Sequence, residues 1–250
     1  MLDKQEKKKP IDTIAGFKIF HEYDPSHRYG SGHDVGGGLS LDHSTSVFID
    51  FTQYPAQVVG TFKSNTIKPD AFGDEINIQR KNFGTPMVAV ENNKFDMCIG
   101  RLKQVYPDHL YTMMEKETRA GQSSRIRQWG WNTNTATKPT MLIALRKAVK
   151  DGHLELSDPD LIAELRSYTR DDLMDTDVDV RLATRHYDLL IACAIAWMMK
   201  DLAEPVTQDS WEQPEYEPTS PYEGSGQIKV DNIFNKHVVA DSYEQPPYEQ

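Results

Sequence analysis

Residues 29–51 read YGSGHDVGGGLSLDHSTSVFIDF, and the fold turns on how this stretch is parsed. A short run beginning at Tyr29 ends in an acid, Asp34, and three glycines follow, Gly36 to Gly38. A second acid, Asp42, and small hydroxyl residues then lead into the apolar run Val47 to Phe51. Two such runs broken by a glycine-rich connection predict a pair of antiparallel strands, with Asp34 at the inner end of the first. Glycines beside an acid let backbone or a phosphate approach it closely, because no side chain intervenes. Taken alone, the stretch favours a hairpin whose aspartates cap a turn, and the acids downstream are what change the reading.

The neighbouring segments extend the pattern. Gln57 to Lys63, QVVGTFK, predicts a third antiparallel strand, and Pro69 to Phe83 has a helical spacing with Phe72 and Ile76 on one side. Met87 to Val90 is an apolar strand that runs straight into Glu91, which places that acid at a sheet edge, where α/β proteins hold ligands. Phe95 to Val105 predicts a helix stopped by Pro107, and His109 to Tyr111 a short strand. Residues 115–137 read as a long polar loop in which Lys116, Arg119, Arg125 and Arg127 are interleaved with Trp129 and Trp131. A loop of that length in a compact domain is uncommon unless it has a function.

Thr140 to Lys150 is an amphipathic helix closed by Gly152, His153 to Leu156 a short strand, and Asp158-Pro159 the start of another helix. After an aspartate-rich irregular stretch comes Arg185 to Lys200, RHYDLLIACAIAWMMK, an apolar helix whose single acid, Asp188, lies in its first turn. Upstream, Phe17 to Tyr23 suits a short strand or helix. Residues 1–16 read as a charged, poorly ordered leader or linker remnant. The order predicts an α/β protein, a ribonuclease H-like mixed sheet flanked by helices over residues 17–203. Residues 204–250, rich in proline, tyrosine and glutamate, predict a disordered acidic tail.

Composition removes several classes of function. The 250 residues contain no apolar run long enough to cross a membrane. The N-terminus, MLDKQEKKKPIDT, lacks the apolar stretch of a secretory signal, which places the chain in a cytosol. Cys98 and Cys193 sit in apolar surroundings as buried thiols and are too few for a disulfide scaffold or a zinc cluster. The net charge of −10 is concentrated after Ala203, where ten acids face two lysines. The body is left nearly neutral, so a local basic face for nucleic acid stays open.

Three acids, Asp34, Glu91 and Asp188, fall at positions that such a sheet can bring together. Carboxylate oxygens are hard ligands suited to magnesium or manganese. Two such ions about 4 Å apart activate a water and stabilise the leaving oxygen in phosphodiester hydrolysis, with Asp34 the natural bridge. Taken singly, Asp188 is equally a charge meeting a helix dipole, and Glu91 a solvated strand end. His27, His33, His43 and His186 are explained by hydrogen bonding or packing at least as well as by metal ligation.

Over residues 28–200 the sequence resembles the C-terminal nuclease domain of phage terminase large subunits. The likeness rests on HDVGGGLSLDHST, MVAVENN, WGWNTNTATKP, LIAELRSY and HYDLLIACAIAW. It implies metal-binding roles for Asp34, Glu91 and Asp188, and a supporting role for Asp42, eight residues after the first acid. Where the family has paired aspartates before its last helix, this chain has Tyr187-Asp188. The resemblance implies a ribonuclease H-like endonuclease in a bacterial host's cytoplasm, using two Mg²⁺ or Mn²⁺ ions to cut double-stranded DNA during genome packaging. Its partners would be a terminase ATPase, the small subunit or the portal. Lys116, Arg119, Arg125, Arg127 and Lys138 are the expected phosphate contacts, with Lys138 near the cut. No G-x-x-x-x-G-K-[ST] phosphate loop is present, so ATP is not an expected cofactor and the chain reads as a nuclease half. A catalytically weak docking module and a ribonuclease H-type or junction-resolving enzyme are the competing readings.

Overall fold

In a computed structural model of the chain, Tyr29–Asp34 (β3) and Ser44–Asp50 (β4) pair antiparallel from Tyr29↔Asp50 to Asp34↔Thr45. The structure describes residues 5, 7–37, 42–92, 96–119, 122–168 and 187–205; at 115–119 and 122–124 only the backbone is described. The Asp-rich stretch after Tyr168, His186 and the acidic tail expected beyond Glu204 lie outside these residues, apart from Glu204 and Pro205.

Every position of β4 is buried, which makes it the centre of the sheet. Its side chains alternate between two cores: Val47 and Ile49 enter one, Phe48 the other. Ala56–Ser64 (β5) pairs antiparallel with β4, and Phe17–Ile19 (β2) pairs antiparallel with the far half of β5. Asp12–Ile14 (β1) closes that edge. On the other side Met87–Val90 (β6) runs parallel to β3, from Gly30↔Met87 to His33↔Val90. Leu154–Glu155 (β9) adds a short parallel pairing at the start of β5. The seven strands therefore run β1-β2-β5-β4-β3-β6, with β9 beside β5.

Helices cover both faces. Pro69–Arg80 (α1) and Asp96–Val105 (α2) close the core built on Phe17, Phe48, Phe72 and Phe83. There the Phe48 ring lies 5.4 Å from Phe17 and 5.3 Å from Phe83. Thr137–Asp151 (α3), Pro159–Ser167 (α4) and Asp188–Met198 (α5) close the other. The punctuation is legible in the chain. Pro69 and Pro159 sit where a missing N–H costs nothing, and Asp158 accepts from the Asp160 amide at 2.7 Å. Gly152 ends α3 in the left-handed region at φ 75°. Cys98 and Cys193 are buried free thiols, as expected. No helix among the described residues is long and apolar enough to cross a membrane.

Two expectations are corrected. The segment expected to be a loop is mostly a two-stranded ribbon, Thr112–Arg119 (β7) against Gln122–Trp129 (β8), in register over eight pairs. The leader is not poorly ordered throughout, because Asp12–Ile14 is strand β1. Further upstream, the Gln5 side chain donates to Leu154 O at 3.2 Å and accepts from Leu156 N at 2.7 Å. Lys8 pairs with Glu155 at 2.8 Å.

The β1–β2 connection has two residues, Ala15 (φ 48°) and Gly16 (φ 85°). Both lie in the left-handed region, as in a type I′ hairpin turn, where a Cβ clash costs Ala about 1–2 kcal/mol and Asn offsets part of the same clash by local side-chain hydrogen bonding. Ala15→Asn should therefore raise stability by about 0.5–1 kcal/mol, read as a higher urea midpoint at unchanged slope. A lower midpoint would contradict this account of the turn.

Candidate active site

Parallel pairing of β3 with β6 makes both strands finish at the same end of the sheet, and each finishes in an acid. Glu91 follows directly on β6, and its amide donates to His33 O at 2.8 Å, which sets it beside Asp34. On the far side of Glu91 the chain leaving the β7–β8 ribbon runs alongside: Trp131 N donates to Val90 O at 2.7 Å and Asn92 N to Trp131 O at 2.8 Å.

The third acid arrives from the helix layer. Asp188 is the first residue of α5, and α5 lies on β3 backbone to backbone. A Cβ on Gly32 would stand 2.2 Å from Ala192 O and 2.3 Å from Ala196 N, so no other residue fits there without displacing the helix. Strand β4 then fixes the acid itself. Thr45 Oγ1 donates to Asp188 O at 2.9 Å, while the amide of His43 donates to Asp188 Oδ2 at 3.3 Å. The His43 Nδ1 lies 3.1 Å from the same oxygen. Asp42, just before His43, is brought in by the chain's return past Gly36, where a Cβ would meet Asp42 O at 2.7 Å.

The electrostatics show these acids acting on one another. Asp34 keeps partial contact with water, but the protein packed around its carboxyl governs its charge. Burial pushes it well above the ordinary carboxylate range. The charge of Glu91, a hydrogen bond shared with Glu91, and the charges of Asp188 and Asp42 add to that in decreasing order. Two hydrogen-bonded carboxyls among further acids call for positive charge, either a shared proton or a cation. The donors are all hard oxygens, which suits Mg²⁺ or Mn²⁺. Among the described residues no three His, Cys, Asp or Glu form a ready-made cage for an ion. The donors match such an ion in kind.

The expected DNA contacts fall into separate groups. Arg125 and Arg127 are exposed on β8. The register sets Lys116 opposite Arg125 and Met114 opposite Arg127, so positions 116, 125 and 127 share one face of the ribbon with Trp129. Lys103 Nζ lies 5.4 Å from the centre of the Trp129 ring. Arg119, opposite Gln122, belongs to the other face. Lys138 is half-buried in the first turn of α3, its amide donating to Asn134 O at 2.9 Å.

Reasoning from sequence gave one contributor, His43, no particular partner and passed over a second, Glu164. His43 holds Asp188 by hydrogen bonding, the bland role expected of it, but from within the site. Glu164 is buried on α4, accepting from Lys63 Nζ at 2.7 Å and from Leu190 N at 2.9 Å. An acid set among Leu161, Ile162 and Leu165 on an apolar stripe was the available signal. A cleft of about 300 Å³ opens on the β5 side of His43, between Lys18, Lys63, Asn65 and Asp160, and is not lined by Asp34 or Glu91.

No family model and no curated protein sequence matches the chain. Solved structures do match. The large terminase nuclease from thermophilic phage G20c is 15% identical with a TM-score of 0.54, over 79% of this chain and 95% of that one. The same nuclease with bound magnesium gives 14% and 0.55, over 79% and 94%. The Thermus phage P74-26 large terminase nuclease domain gives 15% and 0.55, over 79% and 92%. At these identities the likeness establishes the fold: the ribonuclease H-like mixed sheet of terminase nucleases.

An acid whose folded value is raised binds its proton more tightly when native, so stability falls as pH climbs from about 4 towards that raised value. In chelator at neutral pH, Asp34→Asn should therefore raise Tm by roughly 2–5 °C and flatten that decline. A lower Tm for the variant across the range would remove this account of Asp34.

Proposed function

We propose that the chain is a divalent-metal-dependent endonuclease cutting double-stranded phage DNA during genome packaging. The observation that carries this reading is the neighbourhood of Asp34, Glu91 and Asp188 at one end of the sheet, where burial first, and then Glu91, Asp188 and Asp42, hold the Asp34 carboxyl above its ordinary range. Asp34, Glu91 and Asp188 would hold Mg²⁺ or Mn²⁺, with Asp42 in a supporting position. When bound, two such ions supply an activated water and stabilise the departing oxygen.

The chain's own contribution is placement. Thr45 and His43 fix the Asp188 backbone and carboxylate, and the β3–β6 register fixes Glu91 against Asp34. The ribbon face carrying positions 116, 125 and 127 is suited to phosphates, Lys138 would add a cation from α3, and Arg119 would contact DNA only from the ribbon's other face. A terminase ATPase, small subunit or portal are the partners this reading entails, in the cytoplasm of a bacterial host. The tail at 204–250 would be an appendage to the nuclease domain at 17–203.

One observation favours a docking module of weak activity. Tyr187 stands where a second acid would strengthen ion binding; its hydroxyl donates to Ser167 O at 3.3 Å and its ring packs on Tyr168 at 4.9 Å.

Nicking of supercoiled plasmid with Mn²⁺ separates the two. Asp34→Asn, Glu91→Gln and Asp188→Asn should each slow cutting on the order of 10²–10³-fold, since metal stabilisation of the transition state is worth several kcal/mol. Undiminished cutting by Asp34→Asn would end the nuclease reading, and a wild-type chain that binds DNA without cutting would favour docking. For DNA binding, Arg125→Gln with Arg127→Gln should lower the slope of log affinity against log salt by about 2. An unchanged slope would exclude that ribbon face.

A further inference from the structure

Resting on the reading above, we propose that Glu164 is a positioning residue for Asp188, acting through the first turn of α5 without itself touching ion or DNA. The opening amides of a helix have no partners within it, and Tyr187, at the N-cap, gives those amides no side-chain cap. Glu164, from the neighbouring α4, takes the Leu190 amide at 2.9 Å with Oε2, while Oε1 accepts from Lys63 Nζ at 2.7 Å. Its side chain is only 10% exposed, so both bonds are made largely out of water, where a lost partner is costly.

Asp188 lies two residues before Leu190 in the same turn. Glu164 holds that turn from α4, while Thr45 of β4 and His43, just before that strand, hold it from the sheet. Glu164 thus adds a second negative charge at the start of α5 beside that of Asp188, whose Oδ2 is bonded to His43. Burial pushes the Glu164 carboxyl up, Lys63 and the Leu190 amide draw it down, and Asp188 pushes it up again. A bare helix cap would add stability and nothing else; a positioning residue also sets the affinity of the acids it orients, typically by 10–100-fold.

The test uses the full chain, with Glu164→Gln keeping an acceptor for Leu190 and Glu164→Ala removing it. Hydrogen–deuterium exchange of amides 188–191 and Mn²⁺ affinity by electron paramagnetic resonance are read well below each variant's Tm. Glu164→Ala should speed exchange at least about tenfold and weaken Mn²⁺ about tenfold, with Glu164→Gln within about threefold of wild type on both. Wild-type exchange or wild-type Mn²⁺ affinity in Glu164→Ala overturns the proposal, as does a Gln variant as impaired as the Ala one. Should Glu164→Ala not fold, Lys63→Met, which frees one carboxyl oxygen and leaves the cap, takes its place with an expected loss of about two- to fivefold. Wild-type affinity there overturns the proposal. A wild-type chain that binds no Mn²⁺ refutes the metal reading of the site separately, and the exchange data then decide the anchoring role.

Discussion

Contact between the backbone of α5 and strand β3 at Gly32 sets the geometry on which the acid cluster depends. Small residues meet from both sides: Gly32 on the strand, Ala192 and Ala196 one turn apart on the helix, all buried. With no side chain between them, Asp188 at the head of the helix is delivered to the end of the strand that carries Asp34. Any Cβ at position 32 would overlap helix backbone, and the first turn of α5 could no longer reach Thr45 and His43. The glycines that draw the eye in the sequence are the later run; Gly36 serves the return of Asp42, while the strand glycine places the helix.

Gathering four acids works against folding, and the magnitudes show why the fold tolerates it. Each carboxylate that must stay charged beside another costs a few kcal/mol at most once protons or cations adjust. The two cores work in the opposite direction and on a larger scale. Removing one fully buried phenyl ring such as Phe48 or Phe72 costs about 3–5 kcal/mol, and at least six aromatic residues fill that face. The sheet is held by its centre, where β4 is buried along its whole length, and the acids sit at its rim. Burial therefore decides the fold, and the cluster is a local destabilisation that the rest of the structure carries.

Those parts of the chain whose burial is periodic were legible in advance. Met87 to Val90 was recognisable as a strand because it is an unbroken apolar run, and Pro69 to Phe83 as helical because Phe72 and Ile76 fall at helical spacing. Asp34, Glu91 and Asp188 could be singled out because each interrupts or ends an apolar run. The β7–β8 ribbon was not legible, since a two-stranded sheet with charged residues on both faces carries no apolar alternation. Strand β1 was hidden for the same reason: all three of its residues are exposed and only its pairing with β2 defines it. His43 and Glu164 could be placed only by contacts to residues 145 and 26 positions away, which no local pattern encodes.

The end of α4 serves as a bracket for the start of α5. Glu164 takes the Leu190 amide, Ser167 O receives the Tyr187 hydroxyl, and Tyr168 packs edge-on against the Tyr187 ring. Tyrosine at 187 thus stiffens the entry to the helix at the position where a second acid would have added charge. An acid there would place another negative group beside Asp188, whose charge already acts on Asp34 and Glu164, and would give up the ring contact with Tyr168. The position before Asp188 thus goes to packing against Tyr168 and a hydrogen bond to Ser167 instead of a further charge.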